Sequence, residues 1–159
     1  MTPSRLSLSV NRRPRSIEDV PGEERLLDTL RWRLGLKGTK EGCRSGGCGA
    51  CAVLVDGSCA LSCLTLSHEV EGAEITTVEG VADDPVGRSV QEAFRDAGAL
   101  QCGYCTPGFI VTLTGLLKEE GRSATAEHLL SELGENLCRC TGYAAIVRAV
   151  ETVHRRTHE

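Results

Sequence analysis

Apolar residues recur in steps of two along the first half of the chain and in steps of three and four along the second half. "LSLSV", residues 6 to 10, alternates as a half-buried strand, and "SIEDV", residues 16 to 20, is its expected partner. "PGEERLLDTLRWRLG" then opens with Pro21 and acidic residues, spaces Leu26, Leu27, Leu30 and Leu34 as one helical stripe, and stops at Gly35. "CAVLV", the turn pair "DG" and "SCALSC" predict a hairpin, with "AEITTVEG" as a further strand. One helix packed on a small mixed sheet is the expected first half.

After Gly80 the helical period takes over. "GRSVQEAFRDAGA" puts Val90, Ala93, Phe94 and Ala97 on one face. "TPGFIVTLTGLLKEEG" offers Thr106 as N-cap, Pro107 as first helical residue, Ile110, Leu113 and Leu117 as its buried stripe and Gly121 as its stop. Thr125 is placed to cap "AEHLLSELGEN", and "YAAIVRAVETVH" supplies a last helix with Ile146, Val147 and Val150 inward. "VADDPVG" has the composition of a linker. The terminal "HRRTHE" reads as a solvated, fraying end. An α+β chain in two domains follows, residues 1-80 and 81-159, the second a bundle of four short helices.

Composition changes this picture in one respect. Two Phe, two Tyr and one Trp in 159 residues leave two small cores short of aromatic area, a shortage that small domains commonly meet with disulfides or metals. There are nine cysteines. The odd count, and a start without an apolar signal region, fit a cytoplasmic protein better than a secreted disulfide scaffold. The twin arginines of "NRRPRS" lead into "IEDVPGEERL", too charged for an export signal, so the stretch reads as a solvated loop. No run of about 18 apolar residues occurs, so no membrane span is expected. A net charge of -4 with no basic, aromatic-laced stripe gives no support for nucleic-acid binding.

The cysteines fall into two groups. Cys43, Cys48 and Cys51 stand in "CRSGGCGAC", the C-x4-C-x2-C spacing of plant-type 2Fe-2S loops, where glycines let backbone N-H groups approach the sulfurs. Cys59 and Cys63 compete for the fourth place. With Asp56 and Gly57 as a two-residue turn, Leu54 faces Cys59 and Cys51 faces Ser62, which returns Cys63 beside Cys51 and leaves Cys59 about 10 Å up the strand. Cys63 is therefore the expected ligand and Cys59 a small, partly buried hydrophobe. The second group, "QCGYC" with Cys102 and Cys105 and "CRC" with Cys138 and Cys140, suits either zinc or a 2Fe-2S cluster on spacing alone. Each of its pairs precedes a helix, whose N-terminal partial charge favours thiolates. The four histidines lie far from both groups in sequence, which argues against a Rieske-type site.

Taken together, "GTKEGCRSGGCGACAVLVDG", "SCL", "QCGYCTPGF" and "NLCRCTGY" resemble the iron-sulfur subunit of the xanthine oxidase family of molybdenum hydroxylases, over nearly the whole chain. One departure is "VNRRPR", which stands where the family commonly has an Asn-Gly turn, and it puts the first hairpin's turn type in question. The resemblance implies a plant-type ferredoxin-like (β-grasp) domain followed by a four-helix domain, each with one 2Fe-2S cluster. It also implies that Gln101 and Cys140 approach the molybdopterin of a separate large subunit. The cluster on Cys43, Cys48, Cys51 and Cys63 would then face an FAD-binding subunit, in a complex that dimerises. From the residues alone Gln101 reads as a solvated amide. With no flavin domain, molybdenum domain, catalytic triad or phosphate loop, the chain is expected to relay electrons rather than to catalyse on its own. Two other classes stand against this: a zinc-stapled interaction module and a free-standing ferredoxin. Against the latter, residues 106 to 108 and 141 to 143 offer a Gly- and Thr-rich surface for docking.

Overall fold

The computed structural model describes residues 4–159. Strands β1 (Ser4–Val10) and β2 (Arg13–Val20) pair antiparallel around Asn11 and Arg12, whose φ angles of 52° and 63° make a two-residue turn with both centres left-handed. The questioned turn thus keeps the Asn-Gly geometry, with Arg12 in glycine's place. Strands β3 (Ala52–Val55), β4 (Ser58–Leu61) and β5 (Glu74–Thr76) complete a five-stranded sheet in the order β2-β1-β5-β3-β4, parallel at β1/β5 and otherwise antiparallel. The second hairpin turns on Asp56 and Gly57, and Leu54 faces Cys59 as the sequence predicts.

The expected amphipathic helix is shorter and wider than its pattern. Helix α1 (Leu26–Asp28) runs into a π-helical turn (Thr29–Arg33) closed by Leu34 N-H to Thr29 O, and Gly35 at φ 69° ends it. The residues from Pro21 stay outside, because the N-H groups of Leu26 and Leu27 bond the carbonyls of Thr65 and Ser62 across the fold. Leu26 and Leu30 pack with Leu6, Leu8, Val10, Val53 and Ile75 on one face of the sheet.

Alternation in β3 sends Ala52 and Leu54 to the other face, into a second core with the helices. Those helices are a single turn, α2 (Val78–Val81), then α3 (Pro85–Asp96), α4 (Thr106–Glu120), α5 (Ala126–Glu132) and α6 (Ala144–His158). Phe94, Phe109, Leu113, Leu129 and Val150 fill the space between them. The stretch expected as a linker is structured. Asp84 caps α3 by accepting Val86 N-H at 2.9 Å and pairs with Lys118 at 2.8 Å, while Gly87 sits against Val81 too closely for any side chain. In α4 the cap position falls to Cys105, and Thr106 is already helical. Thr125 caps α5 as expected, through His128 N-H at 3.1 Å. The C-terminal residues hold helical form to His158. Among the described residues no helix is long and apolar enough to cross a membrane.

Candidate metal centres

The loop from Gly42 to Cys51 leaves α1's side of the sheet and returns into β3. Lys40 N-H to Ala50 O closes it, Arg44, Gly46 and Gly49 take positive φ, and Arg44 anchors it to Asp28 at 2.5 Å and Glu41 at 2.8 Å. A side chain at Gly42 would stand 2.5 Å from Cys48 Sγ, so the loop wraps its sulfur with bare backbone. Cys43 is exposed, and hydrogen bonds from the Ser45 side chain and N-H lower its thiol to about 6. Cys51 and Cys63 are buried side by side against Leu27, and burial, with each thiol against the other, pushes Cys51 up to about 12. Ser62 holds that register by donating Oγ-H to Cys51 O at 2.7 Å.

Cys59 lies elsewhere. Its Sγ sits 3.7 Å from Thr112 Oγ1 of α4, in a crevice of about 220 Å³ open to solvent on one side. Protein on the other sides pushes its thiol up.

The second group assembles from two loops, one entering α4 and one entering α6. Cys102 Sγ and Cys140 Sγ are 3.5 Å apart, and Cys105 and Cys138 are in hydrogen-bonding contact. Burial, then Cys138, pushes Cys105 up to about 12. Burial also works against the Cys138 thiolate, but the Thr141 hydroxyl at 3.1 Å and the N-H groups of Thr141 and Cys140 outweigh it and hold that thiol at about 7. Left-handed Gly142 and Tyr143 swing the chain into α6, and Tyr143 reaches back so that its hydroxyl accepts Cys138 N-H at 2.8 Å. Gln101 is exposed beside Cys102. Around this group Leu100, Tyr104, Leu137 and Tyr143 show 48%, 48%, 55% and 37% of their surface. The expected docking surface at residues 106 to 108 is not available, because Thr106 and Gly108 are buried, the latter against Gly49. Residues 142 and 143 of its other half are exposed.

The two loops are strapped together by contacts that sequence reasoning missed. Leu137 N-H donates to Cys48 O at 3.0 Å, buried Asn136 donates to Gly49 O at 3.4 Å, and Tyr104 O-H donates to Glu41 O at 2.6 Å. A cavity of about 190 Å³ between them is lined by Cys48, Cys102, Cys105, Cys138 and Cys140.

Cys43 with Cys48, Cys51 with Cys63, Cys102 with Cys140 and Cys105 with Cys138 form four thiol contacts. Among the described residues no three His, Cys, Asp or Glu side chains are disposed to hold one metal ion. A two-iron cluster needs two thiolates on each iron, so two pairs per site, with glycine backbone around them, fit a 2Fe-2S group.

Residues 8–82 match the family of 2Fe-2S iron-sulfur cluster binding domains, and residues 77–151 that of 2Fe-2S binding domains. The chain is 44% identical to the nicotinate dehydrogenase small FeS subunit of Eubacterium barkeri, over 91% of each protein. It is 43% identical to the xanthine dehydrogenase iron-sulfur-binding subunit of Escherichia coli O157:H7, again over 91% of each. The chain belongs to the iron-sulfur subunits of the xanthine oxidase family of molybdenum hydroxylases. The crystal structure of quinoline 2-oxidoreductase from Pseudomonas putida 86 contains a chain of the same fold, with a TM-score of 0.88 at 38% identity, covering 99% of this chain and 98% of that one. As a member of this family the protein is an electron-transfer subunit of an oxidoreductase with two 2Fe-2S domains, α+β in fold.

Proposed function

We propose that Cys43, Cys48, Cys51 and Cys63 hold one 2Fe-2S cluster in an N-terminal domain of residues 1-80, and Cys102, Cys105, Cys138 and Cys140 the other in residues 81-159. The chain relays electrons from a molybdopterin-binding large subunit to a flavin subunit, in a cytoplasmic complex that dimerises. When bound, each cluster takes up and gives away one electron at a time. The chain's own residues hold the thiolates, bury one edge of each site and leave another open. At the second site the open edge is Cys140 with exposed Gln101, ringed by Leu100, Tyr104, Leu137 and Tyr143, an apolar rim suited to a large partner that covers the pterin. At the first site the open edge is Cys43, which we assign to the flavin side.

The observation that carries this reading is the pairing of the thiols. A zinc staple needs four ligands around one point, and a free-standing ferredoxin needs neither the second thiol group nor the apolar rim. Metal and sulfide analysis of anaerobically purified complex tests it: about four iron and four acid-labile sulfides per chain are expected, with visible charge-transfer absorption. Stoichiometric zinc in a colourless protein contradicts it.

A further inference from the structure

The end of the second cysteine loop is held in a conformation that its residues disfavour. Tyr143 has a φ of 66°, in the left-handed region where a bulky side chain is strained, and Gly142 before it stands at 62°. Three hydrogen bonds offset the strain, and they form a closed circuit through a cysteine of the second site. Cys138 N-H donates to the Tyr143 hydroxyl at 2.8 Å, Tyr143 N-H donates to Thr141 Oγ1 at 3.2 Å, and Thr141 Oγ1 lies 3.1 Å from Cys138 Sγ. The Tyr143 ring in turn makes an edge contact with buried Phe109, the centroids 6.4 Å apart. Cys138 packs on the helical core, so the circuit is partly shielded from water. A thiolate that ligates iron has no proton, so in the third bond the Thr141 hydroxyl is the donor and Cys138 Sγ the acceptor. With Tyr143 N-H already donated to the same oxygen, the hydroxyl proton is left for the sulfur.

We infer that Thr141 is a positioning residue that sets the reduction potential of the second cluster through Cys138, with Tyr143 aiming its hydroxyl. One electron arriving at this site adds one negative charge, which the ligand sulfurs share; no bond forms or breaks and no proton moves. A hydrogen bond to a ligand sulfur therefore favours the reduced state over the oxidised one and raises the potential. The backbone N-H groups of Thr141 and Cys140 reach the same sulfur, but they belong to the loop whatever its side chains are. The hydroxyl is the part that a substitution can remove. Its direction suits the relay, because it draws electrons into the chain at the site assigned to the molybdopterin side. The inference rests on Cys102, Cys105, Cys138 and Cys140 holding one 2Fe-2S cluster.

The test is a potentiometric titration of the anaerobically purified complex with dithionite, in wild type, Thr141→Val, Thr141→Ala and Thr141→Ser. Each cluster is followed by its own electron paramagnetic resonance signal, that of the second being the one that survives Cys63→Ala. Valine keeps the shape of threonine without its hydroxyl, alanine removes the hydroxyl with no new bulk, and serine restores it. In the valine and alanine variants the equilibrium constant for reducing the second cluster relative to the first is expected to fall about tenfold, which for a one-electron couple is about 59 mV. The first cluster keeps its wild-type potential, and Thr141→Ser returns the second to the wild-type value. A role confined to loop packing moves the melting temperature and iron content but not the potential of the second cluster. A second-cluster potential unchanged in both hydroxyl-free variants overturns the inference, as does an equal fall of both clusters, or loss of the second cluster's iron from both hydroxyl-free variants. Those results leave the cluster reading intact. A wild-type complex with a single signal, or with zinc in place of iron, contradicts that reading and this inference with it.

Discussion

Gly108 is the point where α4 meets the first cysteine loop, and replacing it with alanine tests whether that contact fixes the two sites relative to each other. An added Cβ would lie inside van der Waals contact of Gly49 O and 3.1 Å from Ala50 Cα, both backbone atoms that cannot rotate away. Overpacking of this kind costs about 3 kcal/mol at the upper end of its usual range, and the helix propensity of alanine over glycine returns about 1 kcal/mol. The net destabilisation is about 2 kcal/mol, a fall of roughly 4 to 8 °C in melting temperature for a chain of this size. Circular dichroism melts of the anaerobic holo-chain measure it. The same displacement strains Leu137 N-H to Cys48 O and Asn136 to Gly49 O, so the magnetic resonance signals of both clusters should broaden together. A variant that melts at or above the wild-type temperature with unaltered signals would refute the argument that this seam is closed.

Three further outcomes are expected. Cys63→Ala removes the thiol beside Cys51 and should abolish one of the two resonance signals, whereas Cys59→Ala, altering a thiol that faces Thr112, should leave both; the reverse result would mean the hairpin register does not select the ligand. Gln101→Ala should keep both clusters and slow their reduction by substrate in the assembled complex, with a cost of about 1 to 3 kcal/mol if a buried partner loses its bond; unchanged rapid-reaction kinetics would move the pterin contact elsewhere. Glu24 is opposed by burial, yet hydrogen bonds from Arg33 at 2.7 Å and Thr29 at 2.6 Å hold its carboxyl below the usual 4.5, so its stabilisation is whole above that pH and drains away as pH falls through the lower folded value. Glu24→Gln should therefore cost about 1 to 2 kcal/mol at pH 7 and progressively less in acid; a thermal-melt difference that grew on acidification would reverse the sign.

The second hairpin was legible because its information is local: "DG" dictates a two-residue turn, and that turn sets Leu54 against Cys59. Alternation in "AVLV" likewise foretold opposite faces, although not that Ala52 and Leu54 would belong to the helical core. Where the sequence misled, one composition served two structures. "DDPVG" is as good a capped helix start as a linker, and the difference lies in Lys118 and Val81, which reach Asp84 and Gly87 from other elements. The π-helical turn of α1 likewise depends on Thr29 meeting Glu24 and Ser67. Asn136 was invisible for the same reason, since its partner Gly49 stands 87 residues away. Cysteine spacing named two groups of thiols; the straps between them are tertiary.

The central claim is that each group of four cysteines carries its own two-iron cluster. Electron paramagnetic resonance of the dithionite-reduced, anaerobically purified protein, with the spins integrated against the chain concentration, tests it most directly. Each reduced 2Fe-2S cluster has one unpaired electron, so two distinguishable signals summing to about two spins per chain are predicted. A single signal of about one spin, from a protein whose iron content shows full loading, would contradict it.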